Sequence, residues 1–194
     1  MKIGKITKVI KDKKFFFIDE KYYCHFNSVD FQPKEGDQVN YTPVEIKAGK
    51  FEAKDVVKIK SDWEKYLDAL EIGYFDDDNK IKKEFIVDYP ILLADIFSKE
   101  KGKDLNKPTQ IMKWFSYCKK VEGIYKLTKD FNEAKVSLWK LLSYSNDAFG
   151  RGKISEKFKL FLEKNLNLAT ISPQNFLNGF VQHFESFIGF YRNK

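Results

Sequence analysis

The chain has 194 residues and a net charge of +7, so a polyanionic partner is favoured. Hydrophobic residues make up 43% of it, enough for one large core or two small ones, yet no apolar run approaches the roughly 18 residues of a membrane span. Its two cysteines, Cys24 and Cys118, lie far apart, which excludes a disulfide framework and reads as reduced, packed thiols. The opening "MKIGKITKVI" lacks the charged-then-apolar pattern of a secretion signal, so a cytoplasmic location with no membrane partner is expected.

Charge divides the chain. Residues 1–60 carry net +4, residues 61–106 net −5 and residues 107–194 net +8. Two basic blocks flank an acidic stretch, which suggests two anion-facing surfaces, although a lysine-rich surface can also serve only for solvation.

Residues 1–60 read as strands. Lys5–Ile10 is β-branched, Lys14–Ile18 is aromatic and Lys21–Phe26 alternates. "PKEGDQ" is a turn, Val39–Glu45 is a strand whose Pro43 suits an edge or a bulge, "IKAGK" turns again, and Phe51–Ile59 closes the set. Five short strands predict a small closed barrel, which leaves no exposed edge. After Lys60 the period changes to helical. Ser61 or Asp62 caps a helix that spaces Trp63, Tyr66, Leu67 and Leu70 along one face. "YFDDDNK" interrupts it. Asp76, Asp77 and Asp78 read as a solvated connector rather than a metal site, because no further ligand stands nearby in sequence. Asp88-Tyr89-Pro90 starts another helix, "KGKDLNKP" is a loop, and helices follow over about 107–127, 131–148, 153–165 and 172–192. In the last, Phe176, Phe180, Phe184, Phe187, Ile188 and Tyr191 make one apolar stripe, a core signature. The resulting fold class is α+β: a barrel over 1–60, an acidic connector with a short helix over 61–87, and an all-α bundle over 88–194.

The segment "KKFFFIDEKYYCHF" carries the functional signal. Strand alternation sends Phe16, Ile18, Tyr22 and Cys24 to the barrel interior and Phe15, Phe17, Tyr23 and His25 to the outer face. Four rings on one face form a stacking platform for nucleobases, each stack worth about 1–3 kcal/mol. Lys5, Lys8, Lys13 and Lys14 at its rim would hold phosphates and make binding salt-dependent. Stacking uses the flat face common to all bases, so sequence specificity is expected to be low. An OB-type barrel in which these aromatics only pack is the structural alternative. His25 and Cys24 point to opposite faces and do not make a metal pair.

"GKITKVIKDKKFFFI" (Gly4–Ile18) resembles the start of a cold-shock domain, a five-stranded OB-type barrel that binds single-stranded RNA or DNA. "KKFFFI" matches that family's first ribonucleoprotein motif, K-G-F-G-F-I, with Phe15 and Phe17 at its stacking phenylalanines. "YYCHF" matches the second, V-F-V-H-F, through Tyr23, His25 and Phe26. "PKEGDQVNY" and "EAKDVVKI" resemble the later strands. Lys8 stands at the place of the family's stacking tryptophan and Val9 at that of the next phenylalanine, while Lys14 and Phe16 replace glycines. The resemblance therefore implies a shortened platform.

The second half contains no nucleophile elbow, no phosphate-cradling glycine loop and no His/Cys cluster, and its sole histidine, His183, reads as a packing or helix-surface residue. "AFGRGKISEKF" (Ala148–Phe158) frames Arg151 between two glycines with Lys153 beyond, either a helix-ending turn or a basic loop able to approach a phosphate. "TQIMKWFSYCKKVEGIY", "LLSYSNDAFGRGKISEKFKLFLEK" and "NFLNGFVQHFESFIGFYR", in that order, resemble the small helical subunit of type III-A CRISPR effector complexes over about 88–194. Met112 and Lys113 stand where that family usually has Arg and Lys, and a fused barrel is not part of the usual subunit. The resemblance implies a non-catalytic helical bundle without cofactor or metal. Its implied partners are the guide–target RNA duplex and the other subunits of the complex, with self-association left open. Carried over by position, Lys113, Lys119, Lys120, Arg151 and Lys153 would contact RNA backbone. Lys119 and Lys120 point about 100° apart on a helix, so one of them would face RNA squarely.

The combined expectation is a two-part RNA-binding subunit. The alternatives are a free-standing RNA chaperone or regulator with a helical oligomerisation tail, a protein-docking adaptor, and a nuclease using Asp76–Asp78.

Overall fold

Burial alternates along five strands, and the strands close on themselves. In the computed structural model, which describes residues 1–100, 102 and 105–192, these are β1 (Lys2–Ile10), β2 (Phe15–Ile18), β3 (Tyr22–His25), β4 (Gln38–Lys47) and β5 (Lys50–Lys58). They form a closed barrel in the order β1-β2-β3-β5-β4, with a parallel β3–β5 pair, as in an OB-type fold. The α+β class and the five expected strands are borne out. Ile6, Phe16, Ile18, Cys24, Val39, Tyr41, Ala53 and Val56 fill the interior, each at most 4% exposed. Pro43 stands past Tyr41, where the pairing of β4 with β1 ends, so its missing N–H interrupts no ladder on that side.

Two local devices set the register. The first is the β2–β3 turn, where Asp19 and Glu20 both take positive φ (50° and 60°) and the Lys21 amide donates to Ile18 O, a twist that matches the strands it joins. Asp19 accepts a bond from the Lys5 amide and Glu20 N donates to Thr7 Oγ1, so the turn is tied to β1. Gly4 makes this possible: a Cβ there would lie 2.5 Å from Asp19 Oδ2 and 2.6 Å from the Ile18 side chain. The second is a bulge at Thr7. Ile6 pairs with Ile18 but Lys8 pairs with Phe17, so one residue is skipped. Beyond it Lys8 shares the outer face with Phe17, and Val9 turns inward opposite Phe16.

The chain divides into two units, Met1–Glu64 and Lys65–Lys194. Ser61 and Glu64 form a capping box at the start of α1 (Asp62–Ile72): Glu64 N donates to Ser61 Oγ, and the Ser61 amide donates to Glu64 Oε2. Bonds from Lys58 and Ser61 pull the Glu64 carboxyl down to about 2 against the opposing effect of burial.

Residues 61–87, expected as an acidic connector, are largely folded into the second unit. Tyr66, Leu70, Tyr74 and Phe85 are buried there. A short α2 (Lys83–Ile86) leads into α3 (Asp88–Lys99), where Pro90 falls in the first turn as expected. Asp76 Oδ1 accepts the amides of Asp78 and Lys80, which makes the acidic run a turn. Then come α4 (Pro108–Thr128), α5 (Phe131–Gly150) and α6 (Glu156–Ala169). Lys101, Lys103 and Asp104 of the expected "KGKDLNKP" loop, and Asn193 and Lys194 at the end of the bundle, lie outside the described residues. Caps fix the helix ends: Asp130 accepts Asn132 N and Glu133 N, and Ser155 accepts Phe158 N.

The last expected helix is two segments. Asn175–Val181 is wound as a π-helix, and α7 (Gln182–Tyr191) continues as α. The whole stripe from Phe176 to Tyr191 is buried. The wider turn coincides with a close approach: a Cβ on Gly179 would lie 2.3 Å from the Tyr74 ring. Tyr74 thereby reaches Asn165, which joins a buried polar chain. Tyr74 Oη donates to Asn165 Oδ1 at 2.7 Å, Asn165 Nδ2 donates to Tyr66 Oη at 2.8 Å, and Tyr66 Oη meets His183 Nε2 at 3.0 Å. His183 Nδ1 lies 2.6 Å from Phe85 O, an acceptor, so Nδ1 carries the proton and Nε2 accepts from Tyr66.

Burial holds the His183 pKa down to about 4, against the bond to Phe85 O, which favours the charged ring. The unfolded chain therefore binds a proton that the native ring refuses. Its stabilising contribution is complete above about pH 6.5 and is lost as pH falls towards about 4, a change of about 3 kcal/mol. Thermal unfolding followed from pH 7 to pH 4 should show this slope, and His183→Gln should flatten it. An unchanged slope in the variant would remove His183 as its source.

Candidate nucleic-acid interface

The outer face of β2 and β3 carries the expected rings. Phe15 stands opposite His25 and Phe17 opposite Tyr23 in the antiparallel register. Phe15 and Phe17 meet edge-on at 5.5 Å, and Tyr23 and His25 at 5.7 Å. All four are half-buried or exposed, whereas Phe16, Ile18 and Cys24 are sealed inside and Tyr22 packs partly against the core. Alternation separates these two sets, as the sequence pattern predicts.

Phe26 departs from that set. It begins a short 3-10 turn, Phe26–Ser28, and packs against the core with its ring 6.1 Å from Phe16. The strand ends at His25, so alternation no longer carries Phe26 to the platform. Lys5 also departs. It lies before the Thr7 bulge and lines a separate hollow with Lys34, Asp37 and Lys58. Lys8 is exposed beside Phe17, and Lys13 and Lys14 sit in the β1–β2 turn at the Phe15 end.

The sequence reading missed the opposite wall. Ile46, Lys47, Gly49, Lys50 and Phe51, from the tip of the β4–β5 hairpin, face the rings across an open groove of about 560 Å³. Lys21 completes it, its Nζ 4.0 Å from the Phe51 ring centroid. The groove thus has an aromatic floor and three lysines within reach. "IKAGK" had signalled only a turn, and no local periodicity could bring it against Phe15.

The second unit gathers basic residues on α4 and in the turn that follows α5. Lys113 and Lys120 are seven residues apart, hence on one face of α4, and both are exposed. Lys119 points elsewhere. It pairs with Glu122, which is 7% exposed, and lies 3.8 Å from Glu185. Bonds from Lys119 and Lys126 outweigh burial and keep the Glu122 carboxyl below its ordinary range. Lys119 therefore neutralises a near-buried acid, a role that competes with RNA contact. Lys113, Arg151 and Lys153 line one groove with Gln110, Trp114, Tyr117, Tyr144 and Asp147. Arg151 pairs with Asp147 one turn back. Gly152 takes φ +64° after the end of α5, and Lys153 N donates to Ala148 O, so the chain turns sharply there.

This basic turn is held from behind by Asn106, 1% exposed and with φ 50°. Its amide donates to Lys153 O, its Oδ1 accepts Ser155 N, its Nδ2 donates to Ser155 Oγ and Glu100, and its carbonyl accepts the Tyr191 hydroxyl.

Both cysteine thiols are buried, and burial raises the pKa of each. Among the described residues, no group of three or more His, Cys, Asp or Glu is arranged to hold a metal ion, and no helix is long and apolar enough to cross a membrane. Comparison with known proteins finds no matching family model, curated protein or solved structure.

Proposed function

We propose that this chain is a non-catalytic RNA-binding subunit. Its barrel stacks the bases of a single strand, and the basic face of its helical unit contacts a phosphate backbone. The observation that carries the reading is the face of Phe15, Phe17, Tyr23 and His25, four rings gathered on the open outer side of the barrel while Phe16 and Tyr41 are sealed inside it. Each unpaired base can place its flat face on such a ring, and Lys8, Lys21, Lys47 and Lys50 surround the rings with positive charge. Both histidines have places in this reading that ask for no catalysis: His183 is bonded within the core, and His25 packs as a platform ring against Phe15 and Tyr23.

The resemblance of residues 88–194 to the small subunit of type III-A CRISPR effector complexes gives this proposal its setting, a ribonucleoprotein in which the subunit lies along a guide–target duplex. Lys113, Lys120, Arg151 and Lys153 would face the target strand there. A cytoplasmic location belongs to the same proposal. Purification of the intact protein from its host, with identification of the bound RNA and proteins, tests it. The expected result is co-purification with guide RNA and its complex. Recovery free of RNA, together with no binding of single-stranded RNA by the pure protein at low salt, would sink it.

A further inference from the structure

The groove between α4 and α5 has more in it than charge. Three cationic side chains would suffice to hold a backbone, but this surface also carries rings. Trp114, 9% exposed, lies beneath it. Tyr117 is fixed in place: its hydroxyl donates to Ser137 O, and its ring meets that of Tyr144 at 6.1 Å and 83°. Tyr144 is 49% exposed, so much of its ring remains available. The groove encloses about 410 Å³, within the roughly 300–1,000 Å³ of small-molecule sites.

Its charge fits one ligand class. Three of its lining residues, Lys113, Arg151 and Lys153, are basic and one, Asp147, is acidic, so the lining is net positive. The Arg151–Asp147 pair is 66% and 62% exposed, and an exposed pair of this kind contributes little and gives way readily to a phosphate, which a guanidinium grips with two parallel bonds. A duplex backbone would use the cations and leave the rings idle. An acidic peptide would do the same. A nucleotide uses both, its base on the tyrosine face and its phosphate at the guanidinium.

We propose that the α4–α5 groove holds one unstacked nucleotide of a single strand, with its base against Tyr117 and Tyr144 and its phosphate at Arg151, Lys113 and Lys153. Gln110, also in the lining, brings an amide that can pair with a base edge. The inference rests on the nucleic-acid reading above, narrows it by giving Lys113, Arg151 and Lys153 an unpaired nucleotide rather than duplex backbone, and adds a second base-binding site, independent of the barrel.

The test uses the full chain with the barrel face silenced by Phe15→Ala and Phe17→Ala. The probe is an octauridylate carrying one 4-thiouridine, cross-linked by light and mapped by mass spectrometry. Affinity is read for Tyr144→Ala and Tyr144→Phe in the same background. Because Tyr144 is half exposed, neither change should disturb folding, and the phenylalanine variant retains the ring. The expected result is a cross-link within the groove and about tenfold weaker binding by Tyr144→Ala than by Tyr144→Phe. Cross-links confined to other surfaces, or equal affinities of the two variants, would overturn the proposal. Octadeoxyuridylate run in parallel identifies the sugar: dependence on Tyr144 with either strand supports the pocket, and dependence with neither overturns it. The two sites fail separately. If Phe15→Ala/Phe17→Ala binds as the parent does, the barrel reading falls while the Tyr144 comparison still stands.

Discussion

Replacing Phe15 and Phe17 together by alanine should weaken binding of a short RNA strand about a hundredfold and leave its salt dependence nearly intact. Each ring offers one stack, worth about 1–3 kcal/mol, and two stacks of about 1.4 kcal/mol each reach this factor. The two rings pack edge-on, so losing one also frees the other to move, and the loss in the double variant should be smaller than the sum of the two single losses. The salt slope reports phosphates neutralised, and the lysines around the groove are untouched by the substitution. Lys8→Ala should do the reverse, lowering the slope by about one charge with a smaller loss of affinity. Titrations at several salt concentrations separate the two effects. Loss of slope in the phenylalanine variant, with the deficit widening at low salt and closing at high salt, would mean that the rings only hold the lysines in place. Since Phe15 and Phe17 are on the outer face, the barrel core remains filled and the variant should melt close to the parent temperature.

The second large effect belongs to stability. Asn165→Ala should cost about 4 kcal/mol, because the change removes the hinge of the buried polar chain and opens a cavity beside it. Asn165 is 0% exposed, accepts from Tyr74 and donates to both Tyr66 and the carbonyl of Phe161. Without it the Tyr74 hydroxyl has no partner in a site walled by aromatic rings, while the Phe161 carbonyl keeps only its helical bond. Denaturant unfolding of the full chain should show an earlier transition for the helical unit. Asn165→Asp is a sharper probe, since a carboxylate keeps the acceptor and loses the donors. A variant as stable as the parent would show that water enters the site and replaces the amide.

The barrel was legible in the sequence because its information is local. Period-two alternation separated Phe15, Phe17, Tyr23 and His25 from the buried Phe16, Ile18 and Cys24, and five short strands between turn signals pointed to a closed barrel. Alternation failed where the backbone stops being a strand. Phe26 enters a 3-10 turn, and Lys5 lies on the far side of a bulge that a count of residues does not reveal. The β4–β5 wall of the groove was illegible because Phe51 reaches it through a parallel pairing with β3, remote in sequence. In the helical unit, Tyr117 falls one turn after Lys113 and Tyr144 two turns before Arg151, so the spacing held the groove in plain view. What it lacked was the knowledge that α4 and α5 pack side by side. Residues 61–87 misled by composition: the acids are surface, and Tyr66, Tyr74 and Phe85 between them are core.

Asn106 has a thermodynamic consequence for whatever the basic turn binds. A glycine-framed arginine on a surface loop ordinarily samples many backbone states and loses that freedom when a ligand arrives. Here Lys153 O and Ser155 N are both bonded to one buried side chain and its backbone, and that residue is in turn bonded to Tyr191 in the core. The loop is ordered before the encounter, so association should carry little conformational entropy loss on the protein side. The unfavourable entropy of binding would then come chiefly from the nucleic-acid strand, and calorimetry should find it growing with the flexibility of the strand offered rather than with any change in the loop.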